Sequence, residues 1–241
     1  MQKLTDSNTI LPYKLRCIAF FNNISKKYVK VLPFKIPKPK NEALIYQEDR
    51  EHVFYDELHQ HGEIQISFIV KGAGSLIVGD TINEYKENDI LVIGGYLPHV
   101  FRSDVKASNE SIMFTLFFTK TSFGKEFFEI SDMSNTQGFF QNSEYGMKII
   151  SWKKKIKKQF TKLHNQNKIE QIATLLKIIN LIGKAKHTPL SSFVYKKKYT
   201  DDEGKRMNDV FKYAMENYYE PITLEEIAAK ANMSKNSFCR Y

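Results

Sequence analysis

Between Ala43 and Thr119 the apolar residues come in short runs cut by glycine, and after Ser122 they recur at helical intervals. This change of period limits the chain to a β part followed by an α part. Ile64-Gln65-Ile66-Ser67-Phe68-Ile69-Val70 alternates and then turns continuously apolar before Gly72-Ala73-Gly74 breaks it. Ser75-Leu76-Ile77-Val78 ends at the turn signal Gly79-Asp80, and Ile90-Leu91-Val92-Ile93 ends at Gly94-Gly95. Ile112 to Phe118 is a further apolar strand. Short strands punctuated this way predict a small barrel or sandwich. In the α part, Ile149, Ile156, Phe160 and Leu163 form one stripe, and Ile172, Leu175, Leu176, Ile179 and Ile182 form a second. Two such stripes fit either core helices packed on the barrel or a helical pair that dimerises.

The chain has 241 residues, enough to bury a core without a disulfide or metal staple. No run of about 18 apolar residues occurs, so no membrane span is expected. The apolar stretch from Cys17 to Phe21 is short and runs into Asn22-Asn23, so the first residues do not read as a signal peptide. Cys17 and Cys239 are the two cysteines; they read as free thiols in a reducing cytoplasm. Charge is unevenly placed. Residues 1–150 carry 17 Lys and Arg against 18 Asp and Glu, whereas residues 151–241 carry 19 against 9. A neutral half joined to a basic half suggests an effector module beside a module for a polyanion such as DNA. The Lys runs at 153–155 and 196–198 are equally read as solvated helix or linker surface.

The last forty residues hold two capping boxes, Thr200-Asp201-Asp202-Glu203 and Thr223-Leu224-Glu225-Glu226. The first opens a helix with Met207, Val210, Phe211, Ala214 and Tyr218 on one face, and Pro221 stops it. The second opens a short helix with Leu224, Ile227, Ala228 and Ala231 inward. Asn232 sits at a turn and tolerates left-handed backbone, and Ser234 caps a third helix with Met233 and Phe238 beneath it. Ser234, Lys235, Asn236, Ser237 and Arg240 are then the outward residues, suited to base edges and phosphates. The segment from Thr223 to Ser234, followed by Phe238-Cys239-Arg240-Tyr241, resembles the first helix-turn-helix of AraC-type (AraC/XylS) transcription regulators. That resemblance implies sequence-specific DNA binding. It breaks off at Tyr241, inside the first recognition helix, whereas family members carry a second helix-turn-helix.

The β part resembles the cupin (jelly-roll) sensor barrel found in many such regulators. His59-Gln60-His61 precedes one strand, and Leu97-Pro98-His99 follows another. In catalytic cupins a His-x-His, a downstream Glu and a later His hold a metal. His59, His61 and His99 fall on the three histidine positions, and the carboxylate position falls on Gln65. Glu63 lies two residues earlier, on the same strand face by alternation. Three readings stand for this group: a catalytic metal site, a vestigial or structural metal site, and a metal-free effector pocket. Alternation makes Phe68, Val70, Leu76, Val78, Val92, Phe101, Phe114 and Leu116 candidates to line the barrel.

The expected organisation is a poorly ordered extension (1–28), a cupin-like sensor barrel (29–120), a helical dimerisation region and linker (121–199), and a partial helix-turn-helix (200–241). The expected function is a cytoplasmic, homodimeric, DNA-binding transcription regulator controlled by a small effector. On this reading the chain is not an enzyme, has no catalytic residues and requires no cofactor, although a residual metal fits His59, His61, Gln65 and His99. The alternatives are a metal-dependent cupin enzyme, or a truncated sensor fragment unable to bind DNA by itself.

Overall fold

The computed structural model describes residues 42–194 and 200–240. The expected N-terminal extension, Cys17, the lysine run at 196–198 and Tyr241 lie outside the described residues.

Strands β1 (Ile45–Glu51), β2 (Ile64–Lys71), β3 (Gly74–Val78), β4 (Thr81–Tyr85), β5 (Ile90–Ile93), β6 (His99–Ser103) and β7 (Ser111–Phe118) follow in close succession. A 3-10 turn (Ser131–Thr136) leads into α1 (Gln137–Ser143), and β8 (Met147–Ile149) precedes α2 (Lys153–Leu163) and α3 (Lys168–Gly183). The described chain ends with β9 (His187–Pro189), α4 (Asp201–Asn217), α5 (Leu224–Lys230) and α6 (Lys235–Arg240).

The strands form two antiparallel sheets. The larger runs β1-β7-β2-β5-β8-β9 and the smaller β4-β3-β6. Between them lies a core of Ile69, Leu91, Ile93 and Met113 from the large sheet with Leu76, Val78, Tyr85 and Phe101 from the small one. This is a cupin-like, double-sheet barrel. The other face of the large sheet is covered by α1, α2 and α3 through Ile66, Phe68, Val92, Leu116, Phe160 and Leu175. Strands β2, β5 and β7 are therefore buried on both faces, and this is why they read as nearly continuous apolar runs.

This second burial corrects the lining of the barrel. Leu76, Val78 and Phe101 point into it. Phe68, Val92 and Leu116 lie under the helices, and Val70 and Phe114 pack against that same layer. The stripe Ile149, Ile156, Phe160 and Leu163 is wholly buried within the chain's own core. Leu175, Ile179 and Ile182 of the second stripe join it. Beyond α3, His187 to Pro189 add an edge strand to the large sheet through β8.

At the other end, α4 and α5 each begin with a complete capping box, on Thr200–Glu203 and Thr223–Glu226. Ala228 and Ala231 are buried where α5 meets α6, and Asn232 adopts φ 52° at the turn between them. Among the described residues no helix is long and apolar enough to cross a membrane.

Candidate metal centre

Two loops bring the three histidines together. A strap of residues 52–61 crosses from β1 to β2, and residues 94–98 connect β5 to β6. The strap meets β6 through an isolated bridge in which the His59 and His99 backbones exchange hydrogen bonds of 3.1 and 2.9 Å. The Tyr96 N–H donates to the His61 carbonyl at 2.7 Å. Gly95 makes the approach feasible, because a Cβ there would stand 2.6 Å from the Gly62 carbonyl oxygen.

The imidazole centroids lie 4.2 Å apart for His59 and His99, 5.1 Å for His61 and His99, and 6.0 Å for His59 and His61. One ring nitrogen from each is within 4.8 Å of the others. Each Nδ1 donates to a backbone carbonyl: His59 to Glu57 at 2.7 Å, His61 to Glu63 at 2.9 Å, and His99 to Leu97 at 2.8 Å. A carbonyl only accepts, so these bonds place the proton on Nδ1 and leave the lone pair on Nε2. This is the arrangement in which an outer hydrogen bond orients an imidazole toward a metal.

Electrostatics holds the rings neutral. Burial is the main cause in all three. It lowers His59 to about 3, with repulsion from His61 adding to the effect. His61 is lowered even though the acceptors Gln65 Oε1 and the Glu63 carbonyl, and the Glu63 charge, favour its charged form. His99 is lowered well below the ordinary histidine value, with His59 and His61 contributing after burial.

The donor set fits a cation. His99 Nε2 is buried with no hydrogen-bond partner. His61 Nε2 faces Gln65 Oε1 at 3.2 Å, so two acceptors meet when the proton is on Nδ1. A positive ion between them removes both deficits, and imidazole nitrogens suit Zn, Cu, Fe or Ni. Gln65 Nε2 donates to Ser67 Oγ at 2.9 Å, and Ser67 shares a 3.1 Å hydrogen bond with Thr115. This buried ladder fixes the Gln65 amide. The Glu63 carboxylate stands instead on the Nδ1 side of His61, 4.0 Å from that atom.

The sequence reading missed Ser67 and Thr115. Ser67 is a polar position of an alternating strand and Thr115 interrupts an apolar run, and neither pattern by itself marks a site. Ser234, Lys235, Asn236, Ser237 and Arg240 lie on α6 and its cap. The Ser234 hydroxyl accepts from the Ser237 N–H at 3.2 Å, and Lys235 reaches Glu225 of α5 at 2.5 Å. Asn236 and Arg240 are exposed.

No protein-family profile and no curated protein matches the chain. Solved structures do share part of it. Oxalate decarboxylase from Bacillus subtilis, in its structure at pH 4.6, is 19% identical over 33% of this chain and 22% of its own, with a TM-score of 0.28. A cupin 2 conserved barrel domain protein from Rhodopseudomonas palustris is 20% identical over 34% of this chain and 57% of its own, with a TM-score of 0.29. The aligned segment thus spans about a fifth of the oxalate decarboxylase chain.

Two expectations are corrected here. The chain was expected not to be an enzyme and to need no cofactor. Instead, His59, His61 and His99 form a group that can hold a metal ion. Sequence alone could not show that all three Nδ1 atoms are engaged by backbone.

Proposed function

We propose that this chain is a metal-dependent cupin enzyme whose centre is His59, His61 and His99. The observation that carries the reading is the common orientation of the three rings. Every Nδ1 is engaged by a backbone carbonyl, which leaves Nε2 as the lone-pair nitrogen of each ring, and one ring nitrogen from each histidine lies within 4.8 Å of the others. The bound metal would supply Lewis-acid chemistry. Because all three ligands are neutral, the site would keep the full charge of a divalent ion and favour a small anionic substrate such as a carboxylate. The protein's own contribution is positional. Phe117 stands edge-on to His61 at 5.5 Å and Tyr55 edge-on to His59 at 5.0 Å, which restricts ring rotation. Gln65, held by Ser67, presents its amide at the site and can hydrogen-bond a ligand without adding charge. The test is metal analysis of purified protein followed by Co(II) titration. One equivalent per chain, lost in His99→Ala, is the expected result. Sub-stoichiometric uptake that His99→Ala leaves unchanged would overturn the reading.

A second reading is favoured by a different observation. The capped pair α5 and α6, with its left-handed Asn232 turn and exposed Asn236 and Arg240, suits a DNA-reading element in the basic half of the chain. Here the barrel would sense a small effector and the chain would act as a homodimeric regulator of the AraC type. Fluorescence anisotropy across a salt series separates the outcomes. Sequence-preferring binding supports the regulator, whereas equal binding to a scrambled duplex that collapses as salt rises is counterion release alone.

A further inference from the structure

We infer that α4 is coupled to the metal centre, with Asn208 and Lys212 as positioning residues that act on it through the strap. The inference rests on the metal reading of the three histidines and concerns residues about 150 positions away from the strap that carries His59.

Glu57 is the hub. Its backbone carbonyl receives the Nδ1 proton of His59 at 2.7 Å. Its carboxylate receives Lys212 Nζ at 2.8 Å and Asn208 Nδ2 at 3.4 Å. The next residue, Leu58, donates its N–H to Asn208 Oδ1 at 3.2 Å. Asn208 therefore bonds on both sides of the peptide that aims His59. One helical turn along, Phe211 lies under the Arg102 guanidinium at 5.4 Å, and Arg102 also reaches Asp56 of the strap at 3.6 Å. Arg102 belongs to β6, whose first residue is His99. Positions 208, 211 and 212 share one helix face. That face grips the backbone that carries two of the three imidazoles.

The grip is polar and easily shifted. Among the described residues of α4, Asn208 is the one fully buried side chain. No fully buried apolar side chain among them anchors the helix, so these polar bonds hold it, along with a half-buried apolar face that includes Phe211. Metal bound at Nε2 would fix the His59 ring and, through Nδ1, the Glu57 carbonyl. The peptide that Asn208 grips would then be held in its docked geometry. Coupling between two binding events is reciprocal, so whatever factor the metal adds to helix docking, docking adds to metal affinity. The C-terminal helices that follow α4 would thereby register whether the centre is loaded.

Co(II) is the probe, read by its visible absorption, with hydrogen exchange followed over residues 201–217. Saturating Co(II) is expected to slow exchange in α4 of the intact chain about fivefold or more. Asn208→Ala is expected to weaken Co(II) about five- to tenfold and to alter the ligand-field bands, because His59 is no longer held in one orientation. Lys212→Met should weaken it less, and Lys212→Arg should restore the parent value. If the intact chain binds one Co(II) while α4 exchange, affinity and spectrum in these variants stay as in the parent, the coupling is wrong and the metal reading stands. If the intact chain takes up no Co(II), both fall together. Should Asn208→Ala fail to fold, exchange in the intact chain decides by itself.

Discussion

Gln65 stands where a carboxylate would complete the donor set, and its amide oxygen is 3.2 Å from His61 Nε2. Gln65→Glu changes little in volume and adds one negative charge to a buried group of neutral rings. Carboxylate oxygen suits harder ions such as Mn(II). The substitution is therefore expected to raise Mn(II) affinity roughly tenfold or more, an effect the size of an outer-shell change at other metal sites. Titration followed by electron paramagnetic resonance checks it, and unchanged affinity would place residue 65 outside the coordination sphere. The histidines also predict how the metal-free protein responds to acid. Burial depresses all three, His59 to about 3, against an ordinary value of 6.5. The unfolded chain thus binds more protons below pH 6.5. Stability from these rings is fully present above about 6.5 and declines as pH falls toward the folded values. Urea unfolding of chelated protein from pH 8 to 4 should show this decline, and it should be smaller in a His99→Gln variant. At this scale the three rings were legible because His-x-His and Pro-His are short local patterns. The exclusion of the Glu63 carboxylate was not legible, since the backbone at His61 decides which ring edge it meets. Asn208 was equally hidden, because nothing local to it marks a partner about 150 residues away.

The helix layer behaves as part of the barrel's core. Phe160 of α2 is fully buried with its ring 5.8 Å from Phe68 of β2, so the two elements share one packing surface. Phe160→Ala should cost about 3–5 kcal/mol. For a chain of this size that lowers the melting temperature by on the order of 10 °C. Ile169, at the start of α3, is 80% exposed. Ile169→Ala should stay within about 0.5 kcal/mol of the parent. Differential scanning calorimetry of the pair tests whether the apolar stripes face inward, since equal effects would contradict the layer described. Period alone made several strands and helices legible: the glycine-cut runs became β2, β3, β5 and β7, and the capping boxes marked the starts of α4 and α5. What period cannot supply is sidedness. A strand buried on both faces shows no alternation to read, and Phe68 and Leu116 were accordingly assigned to the wrong side of the sheet. Three-residue strands such as β8 and β9 are too short to carry any period; β8 exists because the edge of β5 offers it a partner, and β9 because β8 then does the same.

At the scale of the molecule, the metal site ties together parts of the chain that are otherwise held by few bonds. His59 sits on a strap paired to the sheets through one bridge, and His99 opens a five-residue strand of the smaller sheet. A metal shared by these rings cross-links strap, loop and small sheet at once, and it does so only in the folded chain. Metal that binds only the native state stabilises it by mass action, about 2.7 kcal/mol at a free concentration one hundred times its dissociation constant. Converted at about 2–4 °C per kcal/mol, loading should raise the melting temperature by roughly 5–10 °C over chelated protein. The same addition to His99→Ala should give no shift beyond that of bulk salt. The rise should also grow with the logarithm of free metal rather than saturate, which separates specific binding from a one-time salt effect. If loaded and chelated protein melt together, the converging imidazoles are a packed aromatic group of the core. The function would then have to be sought in the basic half of the chain, where Lys and Arg outnumber Asp and Glu by 19 to 9 over residues 151–241.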